Sequence, residues 1–456
     1  MKKTLHKIIH EDNFLSLAGN LTISLFGFAG FAMLARSFPV DIFGQWVLFM
    51  SSGTFIEMFR FGITNTAIIR FLAGAEPTDR LEFIGSNYLI GILATFIIGL
   101  VLILCNLSFP IPIQNAGYEL FFTWYPILAL INLPLNNALL ILQADVKFGK
   151  ILKIRLLSSG GFFVIVVVNY LFFDMTLMQL VWSMMIINAL TSGICMLLGY
   201  DGIMHIGKAT GKKNRTLLDF GKYTTFTLIG SSLLRSADTL IISLSPLGTA
   251  AVALYSIPMK LIELQQIPLR SFVATAFPKM SKASIHGTIQ EVKDVFYKYT
   301  GSMTYLFLVM SLFTFVFADY LVLILGGKQY IGIDPATGIH TANIVRIFSV
   351  YGLFLPIDRM TGVGLDSINK PNMNFIKVFF MVTANVIGDI IAIFVFKSLL
   401  MVAVASILFI IVGTLVGYYY MNKQLSLDYH YIFTNGYDFY KSIYDKFRHR
   451  IVKIPN

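Results

Sequence analysis

Apolar residues fall in long unbroken stretches along this chain, and polar residues collect between the stretches rather than alternating within them. Apolar runs cover residues 14 to 37, 43 to 70, 83 to 106, 119 to 144, 152 to 173, 177 to 199, 217 to 243, 250 to 278, 300 to 326, 343 to 366, 374 to 396 and 398 to 421. At about 1.5 Å of rise per residue, a helix of roughly 20 residues crosses a hydrocarbon core about 30 Å thick, so each run is long enough to span a bilayer. The alternation over about 10 residues that marks a transmembrane barrel strand does not recur, and helices are the other structure that satisfies every backbone group in lipid. The pattern predicts an all-α, polytopic membrane protein of about twelve transmembrane helices.

The cations then orient the spans. Of the 35 Lys and Arg residues, 26 lie at the two ends of the chain or in even-numbered connections, whereas the odd-numbered connections hold only Lys328 and Lys397. This is the positive-inside asymmetry, and it predicts that both termini are cytoplasmic. The even connections include Arg70 and Arg80, Lys147 to Arg155, Lys208 to Lys222, Lys279 to Lys298, and Lys370 with Lys377. Cations dispersed over loops that face an anionic leaflet account for the net charge of +11, so no nucleic-acid partner is implied. At 13% charged residues the chain falls far below the ~25% of a soluble domain.

Further features narrow the chemistry. Cys105 and Cys195 both lie in apolar runs, which argues against a disulfide framework or a thiolate metal site. The first span is too long for a signal-peptide core and is followed by Arg36-Ser37-Phe38-Pro39, so it is expected to be retained. The histidines have no metal-ligand spacing, no nucleophile elbow occurs, and Gly207 to Lys213 departs from a phosphate-binding loop in its spacing. No cofactor, metal or enzymatic activity is expected.

The Gly- and Lys-rich stretch from Tyr200 to Arg215 follows six spans and precedes six more. It suggests an N-terminal lobe (1–207), a C-terminal lobe (208–421) and a cytoplasmic tail (422–456), the lobes being parallel repeats related by a pseudo-twofold axis. Residues 34 to 46 and 244 to 255 close corresponding hairpins with short Pro-containing turns. In the tail, Phe433, Tyr437, Tyr440, Tyr444, Phe447 and Ile451 recur at helical spacing with cations between them, as in an amphipathic helix lying on the bilayer. Gly436 and Asp438 weaken its start.

Charges within the spans carry the functional signal. The cations are Arg36, Arg60, Arg235, Lys260, Arg270, Arg346 and Arg359, and the acids Glu57, Asp238, Glu263, Asp358, Asp366 and Asp389. Each costs about 2.5–3.5 kcal/mol at the centre of a spanning helix, so they must face one another or water. Glu57 with Arg60, Arg235 with Asp238 and Lys260 with Glu263 are three apart and share a helix face. Such pairs either fix helix packing or line an aqueous path. Arg36, Arg346 and Asp366 lie near span ends, within reach of the interface. Arg60, Arg235, Lys260, Arg270 and Arg359 lie deeper, where guanidinium and ammonium groups suit an anionic head group such as a diphosphate. Glu57, Asp238 and Glu263 are candidates for binding a proton or Na⁺. Pro126, Pro134, Pro258, Pro268 and Pro356 fall within spans and permit kinks.

The first hairpin reads Met33-Leu34-Ala35-Arg36, Phe38-Pro39, then Asp41-Ile42-Phe43-Gly44-Gln45-Trp46. Together with Leu234-Arg235, Asp238, Tyr255-Ser256, Pro278-Lys279-Met280-Ser281 and Gly326-Gly327-Lys328-Gln329-Tyr330 it resembles the polysaccharide (O-antigen type) flippases. These belong to the multidrug/oligosaccharidyl-lipid/polysaccharide exporter superfamily. The resemblance implies a bacterial inner-membrane protein, not an enzyme, that moves undecaprenyl-diphosphate-linked oligosaccharide to the outer leaflet for O-antigen or capsule synthesis. It also implies that Arg36 joins the substrate-binding set, because the family's charged cavity positions map onto Arg36, Arg235 and Asp238. A cation-coupled multidrug antiporter of the same superfamily and a membrane glycan polymerase remain alternatives at this stage.

Reporter fusions test the topology. Positions near 210, 290 and 440 are expected in the cytoplasm and those near 112, 247 and 333 outside. An external 210 loop would overturn the twelve-span reading.

Overall fold

The computed structural model describes residues 12–73, 75–333 and 338–451; the side chains of residues 12–21, 222–228 and 446–451 and of several single helical positions, Arg235 among them, lie outside that description. The helices run α1 (Asp12–Ser37), α2 (Val40–Ala73), α3 (Pro77–Ser108), the short α4 (Pro110–Asn115), α5 (Glu119–Ala144), α6 (Phe148–Arg155), α7 (Gly161–Phe172) and α8 (Leu177–Leu197). They continue with α9 (Gly211–Ser243), α10 (Gly248–His286), α11 (Ile289–Val316), α12 (Ala318–Gly326), α13 (Thr341–Ser367), α14 (Pro371–Ile390), α15 (Leu399–Leu425) and α16 (His430–Ile451). A π-turn over Leu156–Gly160 joins α6 to α7, a second over Ile391–Val395 extends α14, and a 3₁₀ helix covers Ile203–Lys208. Among the described residues there is no strand, and the one β-bridge pairs Ile333 with His340.

Every expected span has its helix, with α6 and α7 counted as one. Seven of them are long and apolar enough to cross a membrane by composition alone. The other five, α1, α2, α9, α10 and α13, carry the intramembrane charges predicted from the sequence, Asp389 in α14 excepted. One boundary differs. The run expected from 300 to 326 breaks at Phe317 (φ −97°, ψ 21°), and Asp319 opens a separate helix, α12, where a carboxylate suits the helix dipole.

Local signals explain the boundaries. Pro39 cannot continue α1, and its carbonyl accepts the Phe43 N–H at 2.9 Å to open α2. Pro77 and Pro371 occupy the first turns of α3 and α14. A capping box starts α8: Thr176 Oγ1 accepts the Gln179 N–H (3.3 Å), and Gln179 Oε1 accepts the Thr176 N–H (2.8 Å).

The contacts divide the chain into two compact units, residues 1–253 with 325–329, and residues 254–324 with 330–456. In the first, α3 packs on α5 and α2 on both α5 and α9, burying Ala67, Ile68, Leu72, Phe83, Ile84, Ile141 and Leu217. Thus α9 packs with the spans that precede it, and the boundary between the two contact units falls within α10. Asn87 donates to Asn137 at 2.6 Å between α3 and α5, a kind of interhelical bond that contributes on average ~0.6 kcal/mol in a membrane. Close backbone approach matters more. A Cβ on Gly85 would lie 2.1 Å from the His205 carbonyl oxygen, so only glycine lets the 3₁₀ helix seat on α3. In the basic connection between α5 and α6, burial disfavours the charge of Asp145, but Lys147 at 2.7 Å and a hydrogen bond from Arg80 prevail and hold its carboxyl below the usual range. That clasp therefore loosens only as the pH falls through the lowered value.

In the second unit α13 packs on α11 and α15, and α14 on α15. Ala276, Met280, Phe296, Met360, Leu365, Met421 and Ile432 form a core that includes the tail. The tail is more than a surface helix. Gly301 of α11 and Gly436 of α16 meet so closely that a Cβ on Gly436 would lie 2.6 Å from the Gly301 carbonyl oxygen. Tyr440 donates to the Ser302 carbonyl at 2.9 Å beside the crossing. Gly436, read from the sequence as a weak point, is the contact that docks the helix. Phe433, Tyr437 and Tyr444 of the predicted apolar face stay exposed, while the side chains of Phe447 and Ile451 lie outside the described residues.

Gly436→Leu is expected to force α16 off α11. Limited trypsin digestion of the full-length protein should then cut the tail faster than in the parent. Unchanged protection would show that the glycine crossing is dispensable.

Candidate functional site

In the first unit, one turn of α2 brings Glu57 and Arg60 onto the same face. Arg60 Nη1 lies 3.2 Å from Glu57 Oε1, with the Arg60 side chain 0% and the Glu57 side chain 27% exposed. Tyr125 of α5 donates to the same Glu57 oxygen at 3.1 Å, and the guanidinium stands 4.4 Å from the centre of the Phe61 ring. Among the described residues no guanidinium nitrogen of Arg60 makes a well-directed hydrogen bond, although the group carries five N–H donors. Arg60 is thus enclosed, ion-paired and under-bonded. Glu57 is the member of the pair within reach of the surface.

Arg36 ends α1 and is exposed. Its turn is held from an unexpected quarter. The Gln329 side-chain amide donates to the Ala35 carbonyl and, at 3.0 Å, to the Phe38 carbonyl. Gly327 (φ +88°) packs so tightly on Arg36 that a Cβ there would lie 3.0 Å from the Arg36 Cγ. Two segments singled out in the sequence, Leu34 to Phe38 and Gly326 to Gln329, therefore touch. Arg36 also lines a cavity of about 820 Å³. Asp238 of α9 is buried, whereas the Arg235 side chain lies outside the described residues, so their expected pairing is not located.

In the second unit, Lys260 Nζ contacts Glu263 Oε2 at 2.7 Å on α10, with side-chain exposures of 23% and 54%. Arg270 and Arg359 are exposed and make no ion pair among the described residues. Arg346, near the N-terminal end of α13, is paired: Asp319 Oδ2 accepts from its Nη2 at 2.5 Å and Asn343 Oδ1 from its Nη1 at 2.8 Å. Asp366 is exposed and accepts from Asn374 Nδ2 at 2.9 Å, and Asp389 is buried, accepting from Asn385 Nδ2 at 3.2 Å.

Lys377 needs the clearest correction. Counted above with the cytoplasmic loop cations, it lies inside α14, its Nζ 2.7 Å from Asp358 Oδ1, the two side chains 4% and 6% exposed. It also donates to the Asp358 carbonyl and to Thr361 Oγ1 at 3.4 Å. Gly413 and Gly417 of α15 leave the room: a Cβ on either would collide with Asp358 Oδ1 (2.7 Å) or Thr361 Oγ1 (2.4 Å). The signal was available in Pro371, which starts the helix and so places Lys377 nearly two turns inside it.

The fold is similar to that of an inward-facing multidrug resistance MATE family transporter of the MOP superfamily, with 14% identity, 88% of this chain and 95% of that one covered, and a TM-score of 0.70. It is equally similar to the lipid II flippase MurJ in an inward closed conformation (14% identity, 97% and 93% covered, TM-score 0.69). A MOP superfamily transporter from Pyrococcus furiosus, described by the reverse polarity of its binding pocket, shares the fold more loosely (14% identity, 90% and 93% covered, TM-score 0.57). No curated protein matches the sequence. Residues 33–335, most of the chain, match the polysaccharide biosynthesis protein family. With that match and the twelve-helix architecture together, this multi-pass membrane protein belongs to the polysaccharide biosynthesis protein family and has the fold of the MOP superfamily transporters.

Proposed function

We propose that this protein is a flippase that carries undecaprenyl-diphosphate-linked oligosaccharide from the cytoplasmic to the outer leaflet of a bacterial inner membrane, supplying O-antigen or capsule synthesis. Transport proceeds by alternating access between lobes formed by residues 1–207 and 208–421. One observation carries the reading. In a chain of the polysaccharide biosynthesis family, guanidinium groups at Arg270 and Arg359 are exposed on helices that otherwise run through hydrocarbon. A diphosphate supplies the counter-charge and the planar oxygens that such groups bind in bidentate fashion. A cationic drug would be repelled by the same groups.

The Glu57–Arg60 pair links this binding to a driving ion. While Glu57 is ionised it holds Arg60, at 3.2 Å. A proton or Na⁺ captured by Glu57 would neutralise the acid and leave the buried guanidinium without its counter-ion, free to take the substrate phosphate instead. Asp238 and Glu263 are proposed as further coupling carboxylates, Lys260 and Arg235 as further phosphate ligands.

Two measurements check these assignments. Arg36→Gln, Arg270→Gln and Arg359→Gln should each abolish surface glycan at near-normal protein level, with partial recovery for Arg→Lys. Lys377→Met should behave oppositely, lowering protein level because removing one member of a buried pair costs about 3–5 kcal/mol, and adding Asp358→Leu should restore it. For Arg60→Gln, rescue by Glu57→Gln would reassign that pair to packing. Coupling is read in everted vesicles: collapsing the proton and Na⁺ gradients should stop uptake of lipid-linked oligosaccharide. Unchanged uptake would remove Glu57, Asp238 and Glu263 from the coupling role.

A further inference from the structure

The cavity of about 820 Å³ in the first unit is walled by the α1–α2 turn, the start of α5 and the α7–α8 turn. These belong to the first, third and fifth connections, the ones nearly devoid of cations. The cavity therefore opens at the end of the unit away from the basic loops. Its volume falls within the range of about 300–1,000 Å³ typical of sites that enclose most of a small ligand.

The lining combines Arg36, Gln45, Glu119 and Asp174 with the rings of Trp124 and Tyr170. Glu119 and Asp174 are exposed and make no ion pair among the described residues. The walls are preformed. Asn169 Oδ1 accepts the Met175 N–H at 2.8 Å and the Thr176–Gln179 capping box closes the next turn, so the segment bearing Asp174 is fixed at both ends. On the opposite wall Gln329 clamps the turn that bears Arg36. Trp124 packs edge-on against Trp182, ring centroids 5.5 Å apart.

This mixture discriminates among ligands. Two free carboxylates disfavour a diphosphate, Arg36 disfavours a cation, and an apolar chain would leave four polar side chains desolvated and unbonded. A sugar ring matches every element: hydroxyls donate to carboxylates and accept from guanidinium and amide, while the C–H faces stack on aromatic rings. Aromatic residues also gather at membrane interfaces for lipid contact alone, and Phe172 nearby is 75% exposed. An interfacial belt, however, does not call for carboxylates lining one cavity with the rings.

We infer that this cavity is a glycan subsite, which binds uncharged sugar rings of the oligosaccharide on the outer side while the diphosphate is held elsewhere. The inference rests on the flippase reading for its direction and its place in transport, but the binding itself is measured separately. Full-length protein carrying Trp46→Phe and Trp182→Phe, in nanodiscs, leaves Trp124 as the reporting indole. It is titrated with the oligosaccharide repeat released by hydrolysis from the host's surface glycan and, in parallel, with inorganic diphosphate. The repeat is expected to shift Trp124 emission, diphosphate is not, and Glu119→Gln with Asp174→Asn should weaken the response about tenfold or more. Both acids are exposed, so this double variant is expected to fold. No response to the repeat, a response that survives the double variant, or an equal response to diphosphate would each overturn the subsite. Deleting the gene and measuring surface glycan tests the flippase reading alone: intact glycan would sink that reading while leaving the binding result to stand or fall by itself.

Discussion

The cost of an ionised side chain in hydrocarbon governs this structure. At about 2.5–3.5 kcal/mol for each charge near a helix centre, the charges within the spans cannot be left to chance, and they fall into two classes. Lys377 with Asp358, Arg346 with Asp319 and Arg60 with Glu57 are matched at 3.2 Å or less. Arg270 and Arg359 are exposed and make no ion pair among the described residues. The first class has a counter-charge within the fold, whereas the second takes its counter-charge from water or an anion. Burial therefore separates groups that a list of intramembrane charges leaves undivided.

Between helices in lipid there is no hydrophobic driving force, since neighbouring chains are as apolar as the solvent, and close packing takes its place. Glycine makes that packing possible at a few decisive points. Gly44 admits the Thr249 carbonyl, since a Cβ there would lie 1.9 Å from its oxygen; Gly85 admits that of His205, and Gly301 with Gly436 seats the tail. Gly413 and Gly417 serve a different end, opening space beside α13 for an ion pair rather than for a backbone. Packing and charge burial are thus solved together on α15.

A fold shared with a MATE transporter and with MurJ leaves the substrate open, because one scaffold hosts many functions. The chemistry of exposed side chains has to decide it. Guanidinium groups answer to phosphate, and the mixed acidic, basic and aromatic lining around Arg36 answers to hydroxyl-rich rings. A lipid-linked oligosaccharide has both kinds of surface.

Much was legible in the residues alone. Apolar run length located every span because the bilayer imposes one length scale on all of them, and proline marked where α2, α3 and α14 begin because it lacks an N–H. Pairs three apart, Glu57 with Arg60 and Lys260 with Glu263, were readable because helix geometry alone brings them together. What remained hidden was every contact between helices. Nothing local pairs Lys377 with Asp358, ties Gln329 to the turn after Arg36, joins Asp319 to Arg346, or makes Gly436 a docking point instead of a flaw. Those partners are 19, 291, 27 and 135 residues apart, and only tertiary packing brings such positions within a few ångströms. The sequence thus determined which segments cross the membrane and, Lys377 excepted, which residues carry charge there, because both depend on local composition and helical period; which of those charges meet a counter-charge inside the fold was decided by the packing of one helix against another.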